Sequence, residues 1–223
     1  MPGFAAGGAV AALVAVGRQL EAKGLLFRGT HANLSARIGP DRFVMTRGGS
    51  VAHLDAADFA VVGVDERVLE GDMDPTMHEV VAMHAGIYRV RPEAGAVIHT
   101  HSPHLTAFAL AHEPLPAVYE PLLRFGLAEP VPVVPWAPRG SERSVGGIVD
   151  VVRDHPDLSA VLLANHGVLV FQRDPASTAQ LLATLDEAAE LVLLARALGG
   201  AKPLPPEALD AVRARMTAFG SRR

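Results

Sequence analysis

The chain has 223 residues, a formal net charge of −4, 49% hydrophobic residues, ten histidines and no cysteine. It is long enough to bury a sizeable core, and its composition excludes general disorder. The missing thiols exclude disulfide frameworks, zinc fingers, iron–sulfur clusters and cysteine nucleophiles, so any metal site is built from His, Asp and Glu.

Residues 5–23 have the pattern of an amphipathic helix stopped by Gly24. Its apolar run, Phe4–Val16, has no basic residue before it and falls short of the roughly 20 apolar residues of a membrane span. Four β-prone runs follow: Asn33–Ile38, Arg42–Thr46, Ala60–Val64 and Arg67–Glu70. Turns at Gly39-Pro40-Asp41 and Gly71-Asp72 punctuate them. The spacing predicts a helix over Thr76–Val90, ended by Arg91-Pro92 because the residue before proline avoids the α region. Ala96–Thr100 has the pattern of a short buried strand, and Pro103–Ala111 opens a helix. The proline-rich segment 113–138 reads as extended connecting structure, with Pro130–Pro135 as an edge strand. A helix over Ser141–Arg153, with Ser141 as its N-cap, precedes two strands, Val161–Ala164 and Val168–Phe171. Two helices follow, Pro175–Leu198 and Glu207–Phe219. No linker, low-complexity tract or internal repeat interrupts residues 1–223, which read as one α/β domain with helices on the faces of an antiparallel or mixed sheet. Basic residues are scattered, so no nucleic-acid partner is expected; Arg213, Arg215, Arg222 and Arg223 read as a solvated tail. With no membrane segment, the expected location is the cytoplasm.

Three features carry chemistry. His99-Thr100-His101 closes the Ala96–Thr100 strand. Side chains at i and i+2 of a strand share a face, so two imidazoles are expected close together. A shared divalent cation would relieve their repulsion; a pair of surface histidines at a strand end would give the same pattern. Asn165-His166-Gly167 interrupts two apolar runs. A hairpin turn explains Asn and Gly there but does not demand the histidine. On the Thr76–Val90 helix, His78, Glu79 and His84 are further candidates. Glu79 in the first turn also complements the helix dipole. Three imidazoles and one carboxylate would leave a metal with an open position for substrate. His53, His104, His112 and His155 read as surface histidines.

The stretch Ile87-Tyr88-x-x-Arg91-Pro92-x-x-x-Ala96-Val97-Ile98-His99-Thr100-His101-Ser102 resembles the signature of the class II aldolase/adducin family. Further matches lie in order: Gly29-Thr30-x-x-Asn33-x-Ser35-x-Arg37 and Thr46-x-Gly48-Gly49 upstream. Downstream come Leu115-Pro116-Ala117, Asn165-His166-Gly167 and the helix around Glu187 and Glu190. Together they cover about residues 8–200. The resemblance implies a three-layer fold with a central, mostly antiparallel sheet flanked by helices. It implies that His99, His101 and His166 hold one divalent metal per chain. Zinc is the first expectation, and manganese or another divalent ion is compatible. In the family's aldolases a glutamate completes the ligand set and becomes the acid/base when substrate displaces it. A gapless match to the His99 motif puts Val80 at that position; a one-residue adjustment makes Glu79 the metal ligand and acid/base.

The phosphate-gripping loops depart from the family's aldolases. Their pairs become Ala32-Asn33, Gly48-Gly49 and Met77-His78 here, with Thr76 nearby and His31 and Arg47 added. Asn33, Thr46, Arg47, Gly48, Gly49 and Thr76 are therefore the candidate substrate-binding residues. Arg47 either reads a phosphate as a charge-assisted fork or signals a different anion, such as a carboxylate. Glu120, beside Tyr119, matches a glutamate of the family's dehydratases and is a second candidate acid/base.

The expected activity is that of a divalent-metal-dependent aldehyde-lyase, cleaving a small ketose phosphate or related sugar-acid derivative through a metal-stabilised enediolate. A dehydratase, decarboxylase or 4-epimerase of a sugar phosphate uses the same scaffold. A non-enzymatic adducin-like module is expected to lack the histidine set. The resemblance also implies a homotetramer with active sites at subunit interfaces, to which a neighbour could supply Glu120.

Overall fold

The structure, a computed structural model, describes residues 4–26, 29, 31–138 and 141–220. Thr30 of the first loop motif, Arg139-Gly140 before the Ser141 cap, and Arg222 and Arg223 lie outside the described residues.

In chain order the elements are α1 (Phe4–Ala22), β1 (Ala32–Arg37), β2 (Arg42–Thr46), β3 (Phe59–Gly63) and β4 (Val68–Glu70). Then come α2 (His78–Val90), β5 (Ala96–Thr100), α3 (Pro103–Ala111), β6 (Val133–Val134) and α4 (Glu142–Asp154). The last are β7 (Ala160–Leu163), β8 (Gly167–Gln172), α5 (Pro175–Ala195) and α6 (Ala208–Gly220). The strands form one eight-stranded sheet in the order β4-β3-β2-β1-β5-β8-β7-β6. Each described ladder is antiparallel except β6–β7.

Both faces of the sheet are covered, which is why its central strands read as continuous apolar runs. On β5 and β8, Ile98, Val168 and Val170 point into a core shared with Leu13, Leu105 and Leu182 of α1, α3 and α5. Val97, Leu169 and Phe171 alternate with them and meet Val80, Ile87, Ile148 and Val152 of α2 and α4. The fold is α/β, with a mostly antiparallel central sheet between two helical layers.

Three expectations are corrected. The helix anticipated at Thr76 starts at His78, behind a 3-10 turn over Pro75–Met77. Asp74 causes this, because its carboxylate accepts from both the backbone N–H and the hydroxyl of Thr76 and holds the entry in a tight turn. The proline-rich segment is not wholly extended, since Glu120–Phe125 forms a 3-10 helix closed by Gly126 at φ 82°. The anticipated edge strand shortens to Val133–Val134 and pairs parallel to β7. Ser141 caps α4 as expected, accepting from the N–H of Ser144.

Candidate active site

The C-terminal end of β5 lies between the N-terminal ends of β1 and β8: Thr100 pairs with Ala32 on one side and Val168 on the other. His99 shares the face of Val97, toward α2 and α4. His101 follows the strand, and His166 comes from the β7–β8 turn, where Asn165 takes the left-handed conformation at φ 59°. The ring centroids of His99, His101 and His166 lie 4.7–5.1 Å apart. One nitrogen of each falls within 4.8 Å of the others.

The protonation state of His99 suits a metal ligand. Burial, reinforced by His166 and His101, holds the His99 imidazole well below its ordinary pKa, so it is neutral. Its Nδ1–H donates to the carbonyl of Val168 at 2.9 Å. The Nε2 lone pair is therefore the one that could bind a metal, the tautomer that a backbone carbonyl imposes on a metal-binding histidine. The donor set fits a divalent ion of the zinc or manganese type.

Glu79 is not among these mutually close atoms. Its Oε1 accepts from the Ser144 hydroxyl of α4 at 3.3 Å. It nevertheless lines the same cavity, about 740 Å³, together with His31, Asn33, Gly49, Thr76 and His78. A second pocket of about 270 Å³, walled by Pro135 and Trp136, meets the first at Glu79 and His166. The larger groove along α1, about 950 Å³, has no histidine in its lining.

Behind the cavity wall lies a buried polar chain. Asn33 sits opposite His99 in the β1–β5 ladder. Its Oδ1 is 2.6 Å from His84 Nε2. His84 Nδ1 is 2.7 Å from Ser35 Oγ, which is 2.8 Å from the Tyr88 hydroxyl. Burial pushes the His84 pKa down to about 3 and the Tyr88 phenol up.

A family model described as "Class II Aldolase and Adducin N-terminal domain" matches residues 11–193. The chain belongs to this family. It is 30% identical to a 3-oxo-tetronate 4-phosphate decarboxylase of Haemophilus influenzae, over 80% of this chain and 84% of that protein. It is 29% identical to an L-fuculose phosphate aldolase of the same organism, over 65% of this chain and 63% of that protein. The solved structure of an L-fuculose 1-phosphate aldolase superposes with a TM-score of 0.80 at 24% identity, covering 95% of this chain and 97% of that one. The chain is an enzyme of the class II aldolase type, and its family is divalent-metal dependent.

The candidate residues of this class II aldolase fall into four groups. The fold brings Asn33, Gly49, Thr76 and Glu79 to the histidine cavity. Arg47 and Gly48 border an adjoining pocket that shares Gly49, and the Arg47 side chain donates to the carbonyl of Ala57. Thr46 is fully buried, and its hydroxyl accepts the backbone N–H of Leu34. Glu120 is exposed and outside the cavity lining. Tyr119 beside it faces Glu187, and burial followed by that carboxylate pushes its phenol up.

Among the other histidines, His84 does not line the cavity but stands behind Asn33. His104, expected on the surface, is tied by Nδ1 to the buried Asp186 at 2.8 Å. Asp186 also accepts the backbone N–H groups of His104 and Leu105, capping α3 from α5. His112, exposed as expected, holds the Asn165 side chain at 2.7 Å. Ser35 and Tyr88 were legible only as motif positions. Their signal is the spacing: Asn33 and Ser35 share a strand face, and His84 and Tyr88 share a helix face.

Proposed function

We propose that this chain is a divalent-metal-dependent aldehyde-lyase that cleaves a small ketose phosphate. The observation that carries the reading is the convergence of His99, His101 and His166, in which the neutral His99 imidazole turns its Nδ1–H to the Val168 carbonyl. A divalent ion held by these residues, zinc in the first instance, supplies Lewis acidity toward the charge that develops on the substrate's carbonyl oxygen as a C–C bond breaks. Glu79, on the wall of the same cavity, moves the proton at the reacting carbon. Asn33, Gly49 and Thr76 line the end of the cavity that takes the substrate's anionic group. Arg47 and Gly48 border its extension, and Thr46 holds the strand beneath.

Glu120 serves as a second acid/base from a neighbouring copy in a homotetramer. Its exposure in the single chain supports this reading. The enzyme is cytoplasmic; among the described residues no helix is long and apolar enough to cross a membrane.

A second reading, decarboxylation of a phosphorylated 3-oxo acid, is favoured by the 30% identity to a decarboxylase acting on such a compound. One assay panel separates the two. Protein with a measured metal content is incubated with ketose 1-phosphates and 3-oxo acid phosphates, and aldehyde and CO2 are followed. Aldehyde release supports the lyase reading, and CO2 release replaces it with decarboxylation. Metal-free protein with no product from either class would overturn both.

A further inference from the structure

We propose that Tyr88, Ser35 and His84 are positioning residues that lock the Asn33 side chain with its amide N–H groups facing the histidine cavity. The site then presents a hydrogen-bond donor beside His99 and not an acceptor.

The argument is one of donor accounting. His84 is neutral inside the fold, so its ring has one N–H and one lone pair. Both nitrogens are engaged, Nε2 with Asn33 and Nδ1 with Ser35. Two directions of the chain are conceivable. In the first, Tyr88 O–H donates to Ser35 Oγ, Ser35 O–H donates to His84 Nδ1, and His84 Nε2–H donates to Asn33 Oδ1. Each buried donor then has an acceptor. In the second, the Asn33 amide is turned over so that its Nδ2–H donates to His84 Nε2, His84 Nδ1–H donates to Ser35 Oγ, Ser35 O–H donates to the Tyr88 hydroxyl, and the Tyr88 O–H must find an acceptor elsewhere. Among the described residues its hydroxyl has Ser35 Oγ as hydrogen-bond partner, and the Val97 backbone that also faces it acts as a donor. A buried hydroxyl proton without an acceptor is costly, so the first direction holds.

The far end of the chain is anchored. The Tyr88 ring packs 4.9 Å from Phe43, under the Arg37 guanidinium at 4.7 Å. Arg37 also donates to the Tyr88 carbonyl. With Oδ1 held by His84, the Asn33 Nδ2 hydrogens are the atoms left to face the cavity that Asn33 lines. A donor fixed in advance needs no reorganisation when an anionic oxygen arrives. The identity of that oxygen, on a ketose phosphate, rests on the proposed function; the orientation does not.

Two measurements test this. Histidine-selective 15N labelling of the protein as isolated reads which ring nitrogen of His84 carries the proton. The resonance is assigned by its disappearance in His84→Gln and, should that variant not fold, by its displacement in Ser35→Ala. The Nε2–H tautomer is expected, and the Nδ1–H tautomer overturns the proposal. The second measurement uses L-fuculose 1-phosphate as the probe substrate. Ser35→Ala frees the ring and the amide, so KM should rise about tenfold, the worth of one well-placed hydrogen bond, with kcat within about threefold. Tyr88→Phe should move KM the same way by less. An unchanged KM in Ser35→Ala, or a loss confined to kcat, overturns the proposal. If no ketose phosphate is turned over by the parent protein, the functional reading fails, and the tautomer still decides the orientation.

Discussion

The imidazole of His99 donates its Nδ1–H to the backbone carbonyl of Val168, 2.9 Å away across the β5–β8 ladder. A sheet hydrogen-bond partner thus selects the tautomer of a side chain at the candidate metal centre. Because the fold brings the three imidazoles together, an ion that binds them binds the folded state and should stabilise it. At a free metal concentration of about 100 times Kd, the ion adds about 2.7 kcal/mol to unfolding. Chelation should lower the melting temperature of the parent protein. His99→Ala should lower metal affinity by more than about 100-fold, the upper end for losing a supporting residue alone, and should abolish the chelator effect. Calorimetric melts with and without chelator check both.

Glu79 lines the cavity of the three mutually close imidazoles, and the group of ligand atoms formed by His99, His101 and His166 does not include it. Glu79→Gln should therefore leave metal content near one ion per chain while turnover falls by about 10²–10⁴, the usual contribution of a positioned acid/base. Metal analysis alongside kcat is the check. Equal loss of metal and activity would reassign Glu79 from proton transfer to ligation.

His84 makes stability depend on pH. In the unfolded chain the ring protonates below its ordinary value of 6.5, and in the folded chain only near 3. Between those values the unfolded state binds more protons, so stability falls as pH falls, by up to about 1.4 kcal/mol per unit from this ring alone. Above about 6.5 the ring contributes no slope. Its hydrogen-bond partners, Asn33 and Ser35, carry no charge over this range, and His99, which it also faces, is held neutral by burial. Urea melts at pH 7 and pH 5 should show the loss, and His84→Gln should reduce it, leaving the slope of the same sign that the buried His99 contributes.

Gly167 follows His166 at the start of β8. A Cβ there would sit 2.6 Å from the Thr100 carbonyl oxygen and 2.8 Å from His101 Cδ2. The backbone cannot yield cheaply, so His101 must move. Gly167→Ala should cost about 1–3 kcal/mol in stability, as overpacking does, and should weaken metal binding more than that loss alone predicts. Isothermal titration with the metal at a temperature where the variant is folded separates the effects.

Asp186 should matter more than its distance from the chemistry suggests. It caps α3, the helix that begins two residues after His101, and also holds the His104 ring. Asp186→Ala strands two backbone donors in a buried setting. A destabilisation of about 2–4 kcal/mol follows from the lost cap and the unsatisfied groups. His104→Ala, which leaves the cap intact, should cost much less. Denaturant midpoints of the two variants decide.

Much of this was legible along the chain. The runs Arg42–Thr46, Ala96–Thr100 and Pro103–Ala111 coincide with β2, β5 and α3, because local periodicity and flanking turn residues specify them. The start of α2 was not, because the Asp74 side chain competes for the backbone donors of the first turn.

The sequence by itself determined the strand and helix pattern, the family, and the three histidines in their motifs. Those are properties of residue type and short spacing. Only the tertiary structure decided how these groups face one another. Ser35 and His84 are 49 residues apart, Asn33 and His84 51, and His99 and Val168 69. Such contacts depend on ladder register and on the rotation of α2 against β1, and no local pattern encodes either. The same reason moved His84 behind Asn33, bound His104 to Asp186, and left Glu120 outside the cavity of the single chain.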